Sequence, residues 1–361
     1  MDLYVDAANG TDTAGQGTSW ATAYATPSFA LQDLWDSHGR DTGIDPSQSD
    51  TINCMGVFTP STAYSATLSP LPSLSRRVYF VARGKFAVDD GLRTEINAAD
   101  GIWFGVTQDR IHWFGFYCTW NNSATTQKAF VMDRECAIVN CIIDGRDAAG
   151  IQSPFQLYYN CLLYGNQIIR GYHSFNGTIG FRFQNNYFKP TDDFYPQVGG
   201  YRGGEVSGNV IVWNCPTTNP TGRQIYAPSG VPVFRNTCLN LGNRNTSQGI
   251  YLQSESWICY DNYMQGFSQA IVNDAPYLWF VQNNTAFDCT TLINADQYQP
   301  VTPTITALTS AMYADPANGD WTITNADAAS RLTKPWGGIE RQGAVQQIAP
   351  QVNGYNPFGG Q

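Results

Sequence analysis

The sequence predicts an all-β chain: a single right-handed parallel β-helix, or solenoid, with a short N-terminal capping helix. Three observations carry this expectation. A segment recurs about every two dozen residues, apolar residues hold fixed offsets within it, and a small polar residue marks the same place in successive copies. The segments read Ile138-Val-Asn-Cys141-Ile-Ile, Tyr158-Tyr-Asn-Cys161-Leu-Leu, Phe183-Gln-Asn-Asn186-Tyr-Phe and Val206-Ser-Gly-Asn209-Val-Ile. They continue with Val233-Phe-Arg-Asn236-Thr-Cys, Cys259-Tyr-Asp-Asn262-Tyr-Met and Val281-Gln-Asn-Asn284-Thr-Ala. The anchors stand 20, 25, 23, 27, 26 and 22 residues apart, and Cys118 lies 23 before Cys141 as the head of the same column.

Each column has a physical reading. Three before the anchor come Ile138, Tyr158, Phe183, Val206, Val233, Cys259 and Val281. Two after it come Ile143, Leu163, Phe188, Ile211, Cys238, Met264 and Ala286. Both sets are apolar or aromatic, so both are expected to face inward and stack from coil to coil at about 4.8 Å. The anchors Cys118, Cys141, Cys161, Asn186, Asn209, Asn236, Asn262 and Asn284 are read as a structural ladder at a corner. Asparagine tolerates a left-handed backbone there, and its amide can bond the amides above and below. The uneven spacing fits fixed strands joined by one turn of variable length.

Taken in order, residues 1–48 are expected to form a strand and the capping helix, 49–290 the coils, and 291–361 an irregular segment with closing strands. The helix is placed at Pro27–Trp35, where Phe29, Leu31, Leu34 and Trp35 have helical apolar spacing. The Pro- and Thr-rich stretch from Thr290 to about Ala311 breaks the repeat and is expected to fold back along the rod or to meet a partner. Tyr4-Val-Asp-Ala-Ala-Asn-Gly10-Thr-Asp12, Gly17-Thr-Ser-Trp20-Ala-Thr-Ala23 and Asp50-Thr-Ile-Asn-Cys-Met-Gly56-Val-Phe58 resemble the opening of right-handed β-helix proteins of the pectate-lyase-like superfamily. Tyr313-Ala-Asp-Pro-Ala-Asn-Gly-Asp-Trp321-Thr-Ile and Gly337-Gly-Ile-Glu-Arg-Gln-Gly343 resemble its closing strands. The resemblance implies a fold and little about function, because that superfamily holds lyases, hydrolases, epimerases, adhesins and viral spikes.

Composition narrows the function classes. A net charge of −9 and a pI near 4.7 argue against binding a phosphate backbone. No apolar run is long enough to span a membrane. Met1-Asp-Leu-Tyr-Val-Asp6 has neither a basic nor an apolar leader region, so no signal peptide is expected in this chain. Nine cysteines without a CxxC, beside only three histidines, give zinc chemistry little support and read as buried thiols.

For chemistry, the densest cluster is Asp144-Gly-Arg146-Asp147, with Arg170 and His173 about one coil on. Asp144, Asp147, Arg170 and His173 are the catalytic candidates. Three uses are open: paired acids for glycoside hydrolysis, carboxylates holding Ca²⁺, or an Arg beside a uronate in a lyase. Ordinary turn residues forming exposed ion pairs are the bland alternative. No metal is assigned, and Ca²⁺ is the one cofactor left open. Outward aromatics could form stacking platforms for sugars. The carbohydrate-binding candidates are Trp120, Tyr164, Arg146, Lys189 and Asp192, with Trp103, Trp113, Trp213, Trp257 and Trp279 and the arginines Arg170, Arg182, Arg202, Arg223, Arg235 and Arg244 in the wider set.

The expected role is that of a non-enzymatic extracellular or virion-surface β-helix of a bacterial virus. It would be a decoration, structural or receptor-binding element whose partners are polysaccharide or other surface proteins. A polysaccharide lyase or glycoside hydrolase on the same scaffold is the competing expectation, and self-association as a trimer or end to end stays open.

Overall fold

In a computed structural model the described residues are 1–38, 49–59, 77–83, 94–98, 104–106, 110–120, 130–145, 155–170, 174–189, 197–214, 222–227, 230–244, 247–253, 258–274, 280–295 and 305–326. The chain divides into two compact units that meet in sequence at Gln167 and Ile168. Each is a run of parallel β-helix coils of the right-handed kind. The helix Pro27–His38 is too short to cross a membrane, and no other described helix is longer.

In the first unit, Asp2–Asp6, Ser49–Met55, Arg77–Ala82, Ile111–Phe114, Ala137–Val139 and Leu162–Tyr164 pair in parallel, each on the next. Their register stacks Leu3, Ile52, Phe80, Trp113, Ile138 and Leu163 in one column, all buried. Phe80 and Trp113 lie ring on ring, 4.1 Å apart. A second column joins Phe58, Ile96, Cys118 and Ile143. The expected helix is present and slightly longer than predicted. It buries Ala30, Leu31 and Leu34 and holds Tyr24, whose Oη donates to Asp33 Oδ2 at 2.5 Å.

The second unit uses the same logic. Ser174–Gln184 pairs with Gln197–Ser207, whose two halves continue into Arg223–Ala227 and Val233–Phe234. Three inward columns result: Val198, Ile225, Ile250, Ile271; Phe183, Val206, Val233, Cys259, Val281; and Phe188, Ile211, Cys238, Met264, Ala286. Nearly every member is sealed from solvent.

The asparagine column is a continuous hydrogen-bonded ladder from Asn186 to Asn284. Asn209 Oδ1 accepts from Asn186 N at 2.9 Å and Asn186 Nδ2 at 3.1 Å. Asn236 Oδ1 accepts from Asn209 N at 3.1 Å and Nδ2 at 2.9 Å, and Asn262 Oδ1 from Asn236 N and Nδ2, both at 3.0 Å. Asn284 Oδ1 closes the series, accepting from Asn262 N at 3.1 Å and Nδ2 at 3.0 Å. Each Nδ2 from Asn209 on also donates to a strand carbonyl: Phe183, Val206, Val233 or Cys259. The left-handed residue is the one before each ladder member: Asn185, Gly208, Arg235, Asp261 and Asn283 have φ of 54°, 63°, 54°, 54° and 53°. That corrects the expectation that the ladder asparagine itself takes this conformation. The preceding residue turns the corner, and the ladder side chain drops inside it.

Three further assignments are corrected. Cys161 pairs with the position of Cys136, since Leu162 N bonds Cys136 O, and Asn166 occupies the place expected for it. Asn166 Oδ1 accepts from Cys141 N at 2.9 Å, and its Nδ2 donates to Ile138 O at 2.9 Å. Cys118 sits opposite Ile143, two residues off the column, where Cys141 aligns with Phe116. Tyr158, expected inward, is only half-buried, and Leu163 holds the inward place beside Ile138.

The coils continue past residue 290. Thr291–Ala295 pairs with Gln269–Asp274, and Ile305–Ala307 pairs with Asn284–Phe287. The chain then folds back. Leu308, Met312 and Tyr313 pack on the outer side chains Val210, Val212, Leu239 and Tyr263, with Trp321 and Ile323 of the antiparallel hairpin Tyr313–Asp315/Asp320–Ile323 against them. Tyr263 Oη accepts from Met312 N at 3.0 Å.

Candidate functional site

Within the second unit the ladder fixes which side chains look outward. Counting back from each asparagine, the third residue is inward, so the second and fourth are outward. The outer columns are therefore Gln184, Ser207, Phe234, Tyr260, Gln282 and Arg182, Glu205, Pro232, Ile258, Phe280. The face begins polar and becomes aromatic over three coils. Phe234 and Tyr260 are stacked 4.9 Å apart at 6°, and Phe280 meets Tyr260 edge-on at 5.8 Å. Ile258 and Phe280, on consecutive coils, remain 39% and 44% exposed. A cluster of this kind in a chain with 14% charged residues needs a reason to be left uncovered. Ser207 Oγ donates to Glu205 at its polar end.

A second outward row lies on Arg223–Ala227, Gln248–Gln253 and Gln269–Asp274. Tyr226 and Tyr251 stack at 5.7 Å, and the Arg223 guanidinium carbon is 3.6 Å from the Tyr251 ring centre. Arg223 Nε donates to Gln248 Oε1 at 3.0 Å, and Gln248 Nε2 to Gln269 Oε1 at 2.8 Å. Tyr251 Oη donates to Asp274 Oδ2 at 2.6 Å, and Tyr226 Oη to Gln253. Burial, and then the bond to Asp274, raise the Tyr251 pKa, so its phenol stays protonated and cannot act as a base near neutral pH.

The residues singled out in the sequence fare unevenly. Asp144 is buried and accepts from Tyr117 Oη at 2.7 Å, which anchors it at the end of its strand. Arg170 is exposed at a left-handed corner, φ 53°, and its backbone N–H bonds the carbonyl of half-buried Lys189 at 3.0 Å. Tyr164 packs on the apolar cluster of Tyr79, Val81, Phe114, Ala137, Val139 and Leu162. Trp113 and Trp213 are core side chains. Arg146, Asp147, His173, Asp192, Trp103, Trp257 and Trp279 lie outside the described residues, as does the side chain of Trp120. Among the described residues, no three His, Cys, Asp or Glu side chains converge as a metal site.

Phe234, Tyr260 and Phe280 were not named from the sequence. The signal was present as an offset from the ladder asparagines, but it becomes usable only once the corner is known to reset the alternation.

The eight described cysteines are free thiols. Burial pushes Cys141 and Cys259 up to about 12, which makes them packing groups and poor nucleophiles. His112 is fully buried edge-on to Tyr79 at 5.1 Å, and burial lowers its pKa to about 3.

No protein-family model matches the chain, and no curated protein matches it significantly. Among solved structures, a GH136 lacto-N-biosidase from Eubacterium ramulus is similar over 85% of this chain and 68% of that one. The identity is 9% and the TM-score 0.35, a likeness too slight to bear on substrate or reaction.

Proposed function

We propose that this chain is a carbohydrate-binding β-helix of an extracellular or virion surface, acting by recognition and without catalysis of its own. The observation that carries the reading is the aromatic face of Phe234, Tyr260 and Phe280 with exposed Ile258, repeated on consecutive coils and flanked by Arg182, Gln184, Glu205 and Gln282. Aromatic carbon gives a sugar ring an apolar surface, and amides and charged ends at the rim supply hydrogen bonds to hydroxyls. Strands about 4.8 Å apart give the three coils a reach of roughly 10 Å, a scale suited to an extended glycan rather than a small metabolite. The engaged, buried Asp144 and the protonated Tyr251 support recognition over turnover.

Affinity electrophoresis against neutral and acidic polysaccharides tests this. At least one glycan should retard the protein, and Tyr260→Ala with Phe280→Ala should weaken that binding by about tenfold or more, as expected for losing aromatic burial. No retardation by any glycan, or undiminished binding by the double variant, would refute the site. New reducing ends or unsaturated products formed from a bound glycan would refute the non-catalytic reading.

A further inference from the structure

We infer that Arg223 is a carboxylate-recognition subsite, so that the glycan bound by the second unit carries uronate-type acidic sugars. This rests on the polysaccharide reading and specifies its substrate class. Arg223 is held in place by its neighbours. The guanidinium carbon lies 3.6 Å from the Tyr251 ring centre and 5.6 Å from that of Tyr226. Its Nε is tied to Gln248 Oε1, and Gln248 is tied in turn to Gln269. These restraints use one of the five N–H donors. Among the described residues the two terminal nitrogens have no hydrogen bond or ion pair. Asp274, the carboxylate of the row, is engaged by Tyr251 Oη.

A rigid planar fork whose two terminal nitrogens lie side by side on one edge matches a carboxylate, whose two oxygens accept parallel bonds, better than it matches a hydroxyl. Preorganisation by stacking removes much of the side-chain entropy that binding would otherwise cost. The neighbouring Gln269 amide, whose Oε1 accepts from Gln248, can offer its Nε2 to a hydroxyl on the same sugar. The net charge of −9 does not forbid such a ligand. Charges further than about 8 Å away are largely screened at physiological salt, whereas the guanidinium would touch the anion.

The test compares polygalacturonate with its carboxyl-reduced form for the native chain, Arg223→Gln and Arg223→Lys, and separately follows the Arg223 side-chain resonance during titration with free galacturonate or galactose. Native protein should bind the acidic polymer about tenfold or more tightly than the reduced one, the scale of a charge-assisted pair. Arg223→Gln should erase that preference, bringing the ratio of the two affinities close to one. Arg223→Lys, which keeps the charge but not the fork, should restore it only partly. A resonance shift with galacturonate and none with galactose supports the subsite even if neither polymer is retained, in which case only the polysaccharide reading fails. An acidic preference unchanged in Arg223→Gln, or no galacturonate-specific shift, overturns the subsite and leaves the aromatic face to stand or fall by its own test.

Discussion

Replacing Asn236 with alanine should destabilise the fold by about 3–5 kcal/mol. Asn236 accepts two bonds from Asn209 and donates to Asn262 Oδ1 at 3.0 Å and Val206 O at 2.9 Å, with no exposed surface. Truncation strands the backbone N–H of Asn209 in a dry interior, at about 1–3 kcal/mol. Each further bond lost, to Val206 and along the amides, adds about 1 kcal/mol, and a small void remains. Asn236→Asp keeps the acceptor but turns an oxygen toward two oxygens, so only a protonated carboxyl can donate there. Burial raises the pKa of that carboxyl in the folded state. The folded chain then retains a proton that the unfolded chain loses above about pH 4, so the variant is most stable in acid and weakens as pH rises. Urea unfolding followed by tryptophan fluorescence and circular dichroism, at pH 4 and 8, measures both effects. A loss under about 1 kcal/mol for the alanine variant, or an aspartate variant more stable at pH 8, would refute the ladder as a source of stability.

Other consequences are open to measurement. Arg235 turns its corner at φ 54°, so Arg235→Gly should raise stability by about 0.5–1 kcal/mol, and a lowered melting temperature would contradict this. His112 stays neutral when folded but gains a proton when unfolded below about pH 6.5, so stability should fall as pH drops from there toward 3. His112→Leu should flatten that acid limb in denaturation curves, and an unchanged limb would count against it. Cys141 and Cys259 hold their protons to about pH 12 while the unfolded thiols ionise near 9, so stability should decline between those values. Both should resist alkylation at neutral pH until unfolding, and modified peptides from native protein in mass spectrometry would contradict their burial.

The sequence was most legible where the corner has a single form. From Asn186 to Asn284 the asparagine marks one corner per coil, and both apolar columns flanking it are inside as counted. It misled where two corners share one signature. Glu135-Cys136, Asn140-Cys141 and Asn160-Cys161 each place a small buried residue after a left-handed one, at φ 55°, 51° and 53°. Asn160-Cys161 therefore reads like Asn140-Cys141 although it lies at the other corner, and Gly165-Asn166, the true counterpart, has a different appearance. Aromatic residues posed a related problem. Trp113 and Tyr226 are alike in composition terms, and only the register, which a bulge or corner shifts by one residue, decides which fills the core and which faces out. Gly204 shows how tightly corners constrain choice: at φ 101° a methyl group there would collide with the Phe181 carbonyl.

The asparagine series has a direction. In every step the later coil supplies the oxygen and the earlier coil the nitrogens, until the position after Asn284 is filled by Ile305, which offers no side-chain acceptor. A nascent chain emerges in that same order. Each corner leaves the ribosome with donors waiting, and the next two dozen residues bring the group that quenches them. Each coil of the ladder is thus completed by the one that follows it, and Ile305 ends the requirement.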